Sequence, residues 1–168
     1  MNSQVMKLWG ADCGTDGERD FRLLLVGAVE DDGDRRVPFF DQFPWPTQRV
    51  RGCQEARPLI GHNLTRVVVC ERDLSDGNWK DVLEMAAARK DPPVVIVTFR
   101  LADEHLWAEV LNLGGYDVLA KPLDPTEVHR TIDLAWQHWA SRRDMPGLRK
   151  TARQESEDYY VYQLGRSD

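Results

Sequence analysis

Short apolar runs alternate with longer amphipathic stretches along the middle of the chain. Five runs have the length and the β-branched content of strands that are buried on both faces. These runs cover residues 21–26, 47–52, 65–70, 94–97 and 117–120. Strands that alternate with helices in this way are typical of a parallel sheet. We therefore predict an α/β fold in which a five-stranded parallel sheet carries helices on both faces.

The stretches between the runs carry helical signals of unequal strength. The predicted helices cover residues 34–43, 54–62, 79–90, 103–113 and 124–143. Pro38 and Pro58 weaken the first two, because a proline removes a backbone hydrogen bond. The last helix is the best defined, since Asp124 and Pro125 are a typical N-cap and first residue. Its predicted buried face comprises Val128, Ile132, Ala135, Trp136 and Trp139.

The two ends of the chain lack this pattern. Residues 1–20 are rich in Gly and Asp and are expected to form a flexible arm, and residues 144–168 are expected to form a tail. The tail carries one strand-like group near its end, formed by Tyr159, Tyr160, Val161 and Tyr162. The domain itself is therefore placed at residues 21–143.

Composition excludes several classes of protein. No run approaches the ~20 apolar residues of a membrane span, and the N-terminus does not look like a signal peptide. The cysteines Cys13, Cys53 and Cys70 are scattered and odd in number, which favours reduced thiols and a cytoplasmic location. The net charge of −6 argues mildly against nonspecific binding of nucleic acid. His129 and His138 lie on different faces of the last helix and are not a metal pair.

Particular side chains stand where the predicted strands end, which is where sites lie in parallel α/β folds. Thr98 follows the fourth strand, and Lys121 with Pro122 follows the fifth. Residues 114–122 look much like the Gly-Ala-x-Asp-x-Leu-x-Lys-Pro stretch of one family. Over residues 21–143 the chain resembles the receiver domain of bacterial two-component response regulators. The resemblance implies a doubly wound, flavodoxin-like fold.

The chain departs from the receiver pattern at positions that matter for chemistry. Glu71 stands at the end of the third strand, where receivers carry the phospho-accepting Asp. Gly27 and Ala28 occupy the positions of the acidic pair after the first strand. Val118 stands where receivers often carry an aromatic residue that reports activation.

These departures predict that the domain is not phosphorylated. Phosphoryl transfer to a carboxylate needs a divalent ion, and Mg²⁺ needs oxygen ligands that Gly27 and Ala28 do not supply. Glu71 is also one methylene longer than Asp, and a nucleophile displaced by about 1 Å can lose ~10²-fold in rate. We expect no metal, no cofactor and no enzymatic activity.

Three interpretations of Glu71 remain open from the sequence. It could be a plain surface carboxylate, it could form a partly buried ion pair with Lys121, or it could mimic a phosphoaspartate next to Thr98 and Lys121. Asp73 is a weaker alternative acceptor, because it would need a shortened loop.

The leading functional hypothesis is a non-catalytic, receiver-like signalling module that acts by binding protein partners without phosphorylation. A homodimer through the fourth and fifth helices, the usual dimer face of receivers, is also predicted, with no binding of nucleic acid or membrane. One alternative is a competent receiver that uses Asp31 or Asp32 as displaced metal ligands. Another is a flavodoxin-like small-molecule binding domain, although the chain lacks a GxGxxG fingerprint.

Overall fold

The computed structural model describes residues 22–30, 38–62, 64–101 and 103–144. The predicted arm and most of the predicted tail lie outside these residues. Five strands form one parallel sheet in the order β2-β1-β3-β4-β5. Their bounds are β1 Arg22–Val26, β2 Thr47–Val50, β3 Thr65–Glu71, β4 Val94–Phe99 and β5 Asp117–Ala120. The predicted fold class is confirmed.

The helices are α1 Cys53–Ile60, α2 Trp79–Ala87, α3 Glu104–Asn112 and α4 Pro125–Asp144. The helices predicted as fourth and fifth are therefore α3 and α4. Three of the four begin on a side-chain cap. Asn78 caps α2 with a full capping box, and Asp103 and Asp124 accept backbone N–H bonds at the starts of α3 and α4.

Two apolar clusters cover the two faces of the sheet, because successive strand residues point to opposite sides. On one face, Leu24, Val68 and Val97 pack against α1, α2 and α3. On the other, Leu25, Val69 and Ile96 pack against α4 and the segment that joins β1 to β2. The pattern of apolar residues therefore decides which face each helix covers.

The helix predicted at residues 34–43 is wrong for the part that the structure describes. Phe39–Gln42 form a single turn of 3-10 helix, and residues 31–37 lie outside the described chain. Pro38 precedes this turn and Pro44 follows it, so neither end can continue as an α-helix. Phe39 and Phe40 are buried on α4's side of the sheet. Short aromatic packing thus replaces a regular helix here.

The boundaries of several other elements differ from the prediction. Helix α1 begins at Cys53 and ends at Ile60, and Pro58 is accommodated inside it. Helix α2 ends at Ala87, and β3 and β4 extend through Glu71 and Phe99. The loop between β3 and α2 contains a small antiparallel hairpin of two strands, Asp73–Leu74 and Gly77–Asn78. This hairpin stands directly beside the site.

Candidate functional site

The carboxyl ends of β3, β4 and β5 bring three of the predicted site residues together. Glu71 is the last residue of β3 and pairs in register with Thr98 of β4. Lys121 follows directly after Ala120, the last residue of β5. Because the strands are parallel and adjacent, all three side chains emerge at the same edge of the sheet.

One carboxylate oxygen of Glu71 receives both of the other side chains. Lys121 Nζ lies 2.5 Å from Glu71 Oε2, and Thr98 Oγ1 donates to the same oxygen at 3.1 Å. The Lys121 side chain is 5% exposed and the Glu71 side chain 15%. The surface interpretation of Glu71 is therefore wrong, and the ion pair with Lys121 is present.

The lysine also ties the site to the first strand. Lys121 Nζ donates to the backbone carbonyl of Ala28 at 2.5 Å, so one ammonium bridges the ends of β1 and β3. The peptide bond from Lys121 to Pro122 is cis. With two oxygen partners, the buried ammonium is paired and hydrogen-bonded, which is what a buried charge requires.

Gly27 is required by its surroundings as well as by its backbone. Its φ is +88°, a conformation that favours glycine. A Cβ atom at Gly27 would lie 2.5 Å from Leu74 Cδ2 and 3.0 Å from the Cβ atom of Glu71. The position has no room for a carboxylate. The first of the two acidic-pair positions is closed by packing, not merely substituted.

The residues present do not fit the divalent ion that receivers of this fold use. Ala28 offers only its carbonyl, which Lys121 already occupies, and Glu71 is bound to an ammonium instead of facing open ligand positions. The Glu30 carboxylate is not available as a metal ligand, because it binds Arg49 and the backbone N–H of Phe40. Within the described residues, no group of three or more His, Cys, Asp or Glu side chains could hold a metal. Asp31 and Asp32 lie outside those residues.

The hairpin between β3 and α2 is hydrogen-bonded to the start of α1. The Asp76 carboxylate accepts from the backbone N–H groups of Cys53 and Gln54, at 2.8 and 2.9 Å. These hydrogen bonds lower the pKa of Asp76 below its usual range. Gly52 allows the close approach, since a Cβ atom there would lie 2.2 Å from an Asp76 oxygen. Asp76 thus caps a helix that lies far from it in sequence.

The two residues that follow Glu71 and Thr98 in the chain contact each other beside the site. The Arg72 guanidinium lies over the Phe99 ring, 4.4 Å from its centroid, and the Arg72 backbone N–H donates to the carbonyl of Thr98 at 2.9 Å. Arg72 and Phe99 directly follow Glu71 and Thr98 in the chain. Asp73 is exposed on the hairpin, outside this contact.

Sequence reasoning missed Asp76, Leu74 and the pair of Arg72 and Phe99. Only Asp76 left a signal in the sequence. Helix α1 begins after Gly52, with no Ser, Thr, Asp or Asn at its N-cap, so a cap had to come from elsewhere in the fold. The other contacts depend on how the hairpin folds back, which no spacing indicates.

The remaining predicted residues contribute no side chain to the site. Cys70 is buried in the sheet, as expected of a small core residue, and burial raises the pKa of its thiol. Cys13 lies outside the described residues. Trp139 is buried, as its place on the predicted buried face of the last helix indicates, and the guanidinium of Arg66 lies 4.1 Å from its ring centroid. Among the described helices, none is long and apolar enough to cross a bilayer.

Comparison with solved structures identifies the fold. The signal receiver domain of an HD domain-containing protein from Pseudomonas fluorescens Pf-5 is 22% identical, with a TM-score of 0.66 over 79% of this chain and 98% of its own. A CheY-like response regulator receiver domain protein from Methanospirillum hungatei JF-1 is 16% identical, with a TM-score of 0.59 over 73% and 98%.

A third solved structure, the beryllofluoride-activated NtrC4 receiver domain dimer, is 18% identical, with a TM-score of 0.58 over 70% and 98%. No protein-family model matches the chain, and no curated protein is a significant match. The chain has the fold of response regulator receiver domains.

Proposed function

We propose that this chain is a receiver-like signalling module that acts through protein contacts and is not switched by phosphorylation. The contact of Glu71 with both Lys121 and Thr98 supports this most strongly. In the resembled family, the residue at the Glu71 position takes the phosphoryl group. Here its carboxylate is already neutralised by an ammonium and accepts a hydroxyl hydrogen bond. A group in this state is a poor nucleophile.

The same contact supports a role for Glu71 as a built-in substitute for a phosphorylated aspartate. A glutamate reaches about 1 Å farther from its strand than an aspartate, and here the extra reach is used to contact Thr98 and Lys121 together. The Thr98 hydroxyl is thereby drawn toward the end of β3. On this proposal the domain holds one conformation permanently, and its output depends on which partner is present.

The loss of the metal site supports the same conclusion independently. Closely spaced negative oxygens cannot be brought together for phosphoryl transfer without a cation to neutralise them. Gly27 has no room for a carboxylate, and Glu30 is bound by Arg49. We propose that the domain uses no Mg²⁺ or other cofactor and has no enzymatic activity.

The surface formed by α3, β5 and α4 is the proposed contact surface for a second copy or another protein. Trp107 on α3 is 42% exposed and Leu134 on α4 is 43% exposed. Large apolar side chains that are exposed to solvent on one surface often mark an interface. One of the similar solved structures is a receiver domain dimer, and we propose a homodimer through this surface.

The experiment that tests the proposal is incubation of the intact protein with Mg²⁺ and acetyl phosphate, a small acyl phosphate, followed by intact mass measurement. We expect no phosphoryl adduct on the wild type or on Glu71→Asp, because the Asp variant still lacks the metal ligands. Asp73→Asn is the matched control for modification at the exposed hairpin carboxylate. An adduct on the wild type would overturn the proposal. One that survives Asp73→Asn would favour the competent-receiver alternative, and one that Asp73→Asn removes would identify Asp73 as the acceptor.

A further inference from the structure

The sheet leaves one side of β2 without a backbone partner among the described residues. Among the described strands, β2 pairs only with β1. The carbonyl of Pro46 accepts from the N–H of Leu23 in β1, and the carbonyl of Val50 accepts from the N–H of Gly27, which follows β1. Backbone groups alternate in direction along a strand. The N–H and C=O groups of Thr47 and Arg49 therefore point away from β1, toward the outer side of the sheet edge.

The opposite edge of the sheet is protected. On β5, the Asp117 carboxylate accepts from the backbone N–H of Val118 at 2.8 Å and from Trp107 Nε1 at 3.2 Å. An inward-turned charge and a bulky neighbour are common ways to block addition of a strand. The two edges therefore differ, and β2 is the one whose outward backbone groups remain available.

The chain after α4 contains a short segment with strong strand propensity. Residues 159–162 are Tyr159, Tyr160, Val161 and Tyr162, whereas residues 149–158 contain one apolar residue, Ala152. Aromatic and β-branched residues favour extended structure. The end of α4 lies beside the amino-terminal edge of the sheet. Arg142 in its last turn donates to the carbonyl of Pro92, two residues before β4.

The segment can reach β2 easily. Residues 145–158 can span up to about 46 Å when extended, whereas the four strand spacings from β4 to a position outside β2 amount to only about 19 Å. A chain that leaves α4 at the amino-terminal edge and runs along the sheet is parallel to the other strands. The direction of approach therefore matches the orientation that the sheet requires.

Handedness favours the β2 edge over the β5 edge. The connection from β1 to β2 passes over the face that α4 also covers, since Phe39, Phe40 and the α4 residues share one cluster. The hand of a crossover depends on the face that it passes over and on its direction across the sheet. A crossover through α4 has the same hand as the β1–β2 connection only if it also runs toward the β2 edge. Parallel crossovers are right-handed in about 98% of cases.

We propose that residues 159–162 add to the free side of β2 as a sixth, parallel strand of the same domain. Trp45, half-buried and stacked on Phe43 at 4.9 Å, stands beside the start of β2 and offers an aromatic neighbour to the tyrosines. The outward backbone groups of Thr47 and Arg49 then gain partners. The addition closes the second edge of the sheet by pairing, as Asp117 closes the first by capping.

Residue-resolved amide hydrogen exchange on the full chain tests this inference. The test variant carries Tyr160→Pro and Val161→Pro, because one of any two consecutive strand residues directs its N–H toward the neighbouring strand. The matched control carries Gln154→Pro and Glu155→Pro in the connecting stretch. We expect the Thr47 and Arg49 amides to exchange about tenfold faster, or more, in the test variant than in the wild type and the control.

The Gln48 and Val50 amides, which face β1, provide an internal reference and should not change. Equal exchange of Thr47 and Arg49 in all three proteins would overturn the inference. Slow exchange that is lost on dilution, together with a dimer mass by light scattering, would also overturn it, because the added strand would then come from a second copy. The result is independent of phosphorylation, so the proposed function stands or fails separately.

Discussion

Lys121 and Glu71 meet across the end of β4, although they follow strands that are not neighbours in the sheet. Lys121 Nζ lies 2.5 Å from Glu71 Oε2, and Thr98, on the strand between them, donates to the same oxygen. The pair is the centre of a site that also includes the backbone carbonyl of Ala28, which accepts from Lys121 Nζ. It joins the ends of β3 and β5 where receivers of this fold carry out phosphoryl chemistry.

Removing the negative charge from this pair should destabilise the domain. Glu71→Gln leaves the Lys121 ammonium buried with a weaker acceptor, and we expect a loss of about 1–3 kcal/mol in the free energy of unfolding. Urea denaturation measures it. Glu109→Gln is the matched control, because Glu109 pairs with Lys80 at an exposed position, and its loss should stay below about 1 kcal/mol. Equal losses in the two variants would show that the buried pair contributes no more to the free energy of unfolding than an exposed pair.

Gly27 should not tolerate a side chain. Gly27→Ala places a Cβ atom against Leu74 Cδ2 in a left-handed conformation, and we expect a loss of about 1–3 kcal/mol. Adding Leu74→Ala to both the wild type and Gly27→Ala separates the two causes in a double-mutant cycle. The clash should disappear in that background while the backbone strain remains. A Gly27→Ala protein as stable as the wild type would contradict the geometry.

Restoring receiver-like carboxylates should not restore metal binding. In a variant with Gly27→Asp, Ala28→Asp and Glu71→Asp, the first carboxylate has no room, so we expect Mg²⁺ to bind no better than to the wild type. Calorimetric titration measures this, with Ala28→Asp alone as the control at an exposed position. A dissociation constant in the low-millimolar range or tighter, for the wild type or the variant, would contradict the prediction.

The Asp76 cap predicts a specific dependence on pH. Its pKa in the folded protein lies below the ordinary value of 3.8, because two backbone N–H groups stabilise the charged form. The stabilisation is therefore present above pH 3.8 and is lost as the pH falls through the lower, folded-state pKa. Asp76→Ala should be less stable than the wild type at neutral pH, and the difference should shrink in this acid range. Thermal unfolding across pH 2 to 7 tests it, with Asp73→Ala as the exposed control, and a constant difference would argue against the cap.

The proposed homodimer depends on Leu134 and Trp107. Leu134→Glu places a charge on the exposed face of α4 and should shift the protein toward monomer, as measured by light scattering over a dilution series. Gln54→Glu is the matched control, because Gln54 is exposed on α1, a helix that contacts α2 and β1 and is not part of the proposed surface. A wild-type protein that remains monomeric at high concentration would remove the basis for this interface.

The sequence by itself determined the sheet and the order of its strand ends. Continuous β-branched runs such as residues 65–70 and 94–97, alternating with helices, are typical of strands buried in a parallel sheet, and such a sheet places Glu71, Thr98 and Lys121 at one edge. Opposite charges at such an edge predict an ion pair. Periodicity was weaker at residues 34–43, where prolines and aromatic packing overrode helical propensity.

Only the tertiary structure decided the details that control the chemistry. The packing at the strand ends decides which oxygen Lys121 contacts. The position of the hairpin after β3 decides why Gly27 excludes a side chain and how Asp76 caps α1. These contacts join residues that are far apart in the chain, and their distances of 2–3 Å are set by packing, not by local propensity. Spacing in the sequence places residues on an edge, whereas steric exclusion between neighbouring elements determines what that edge can bind.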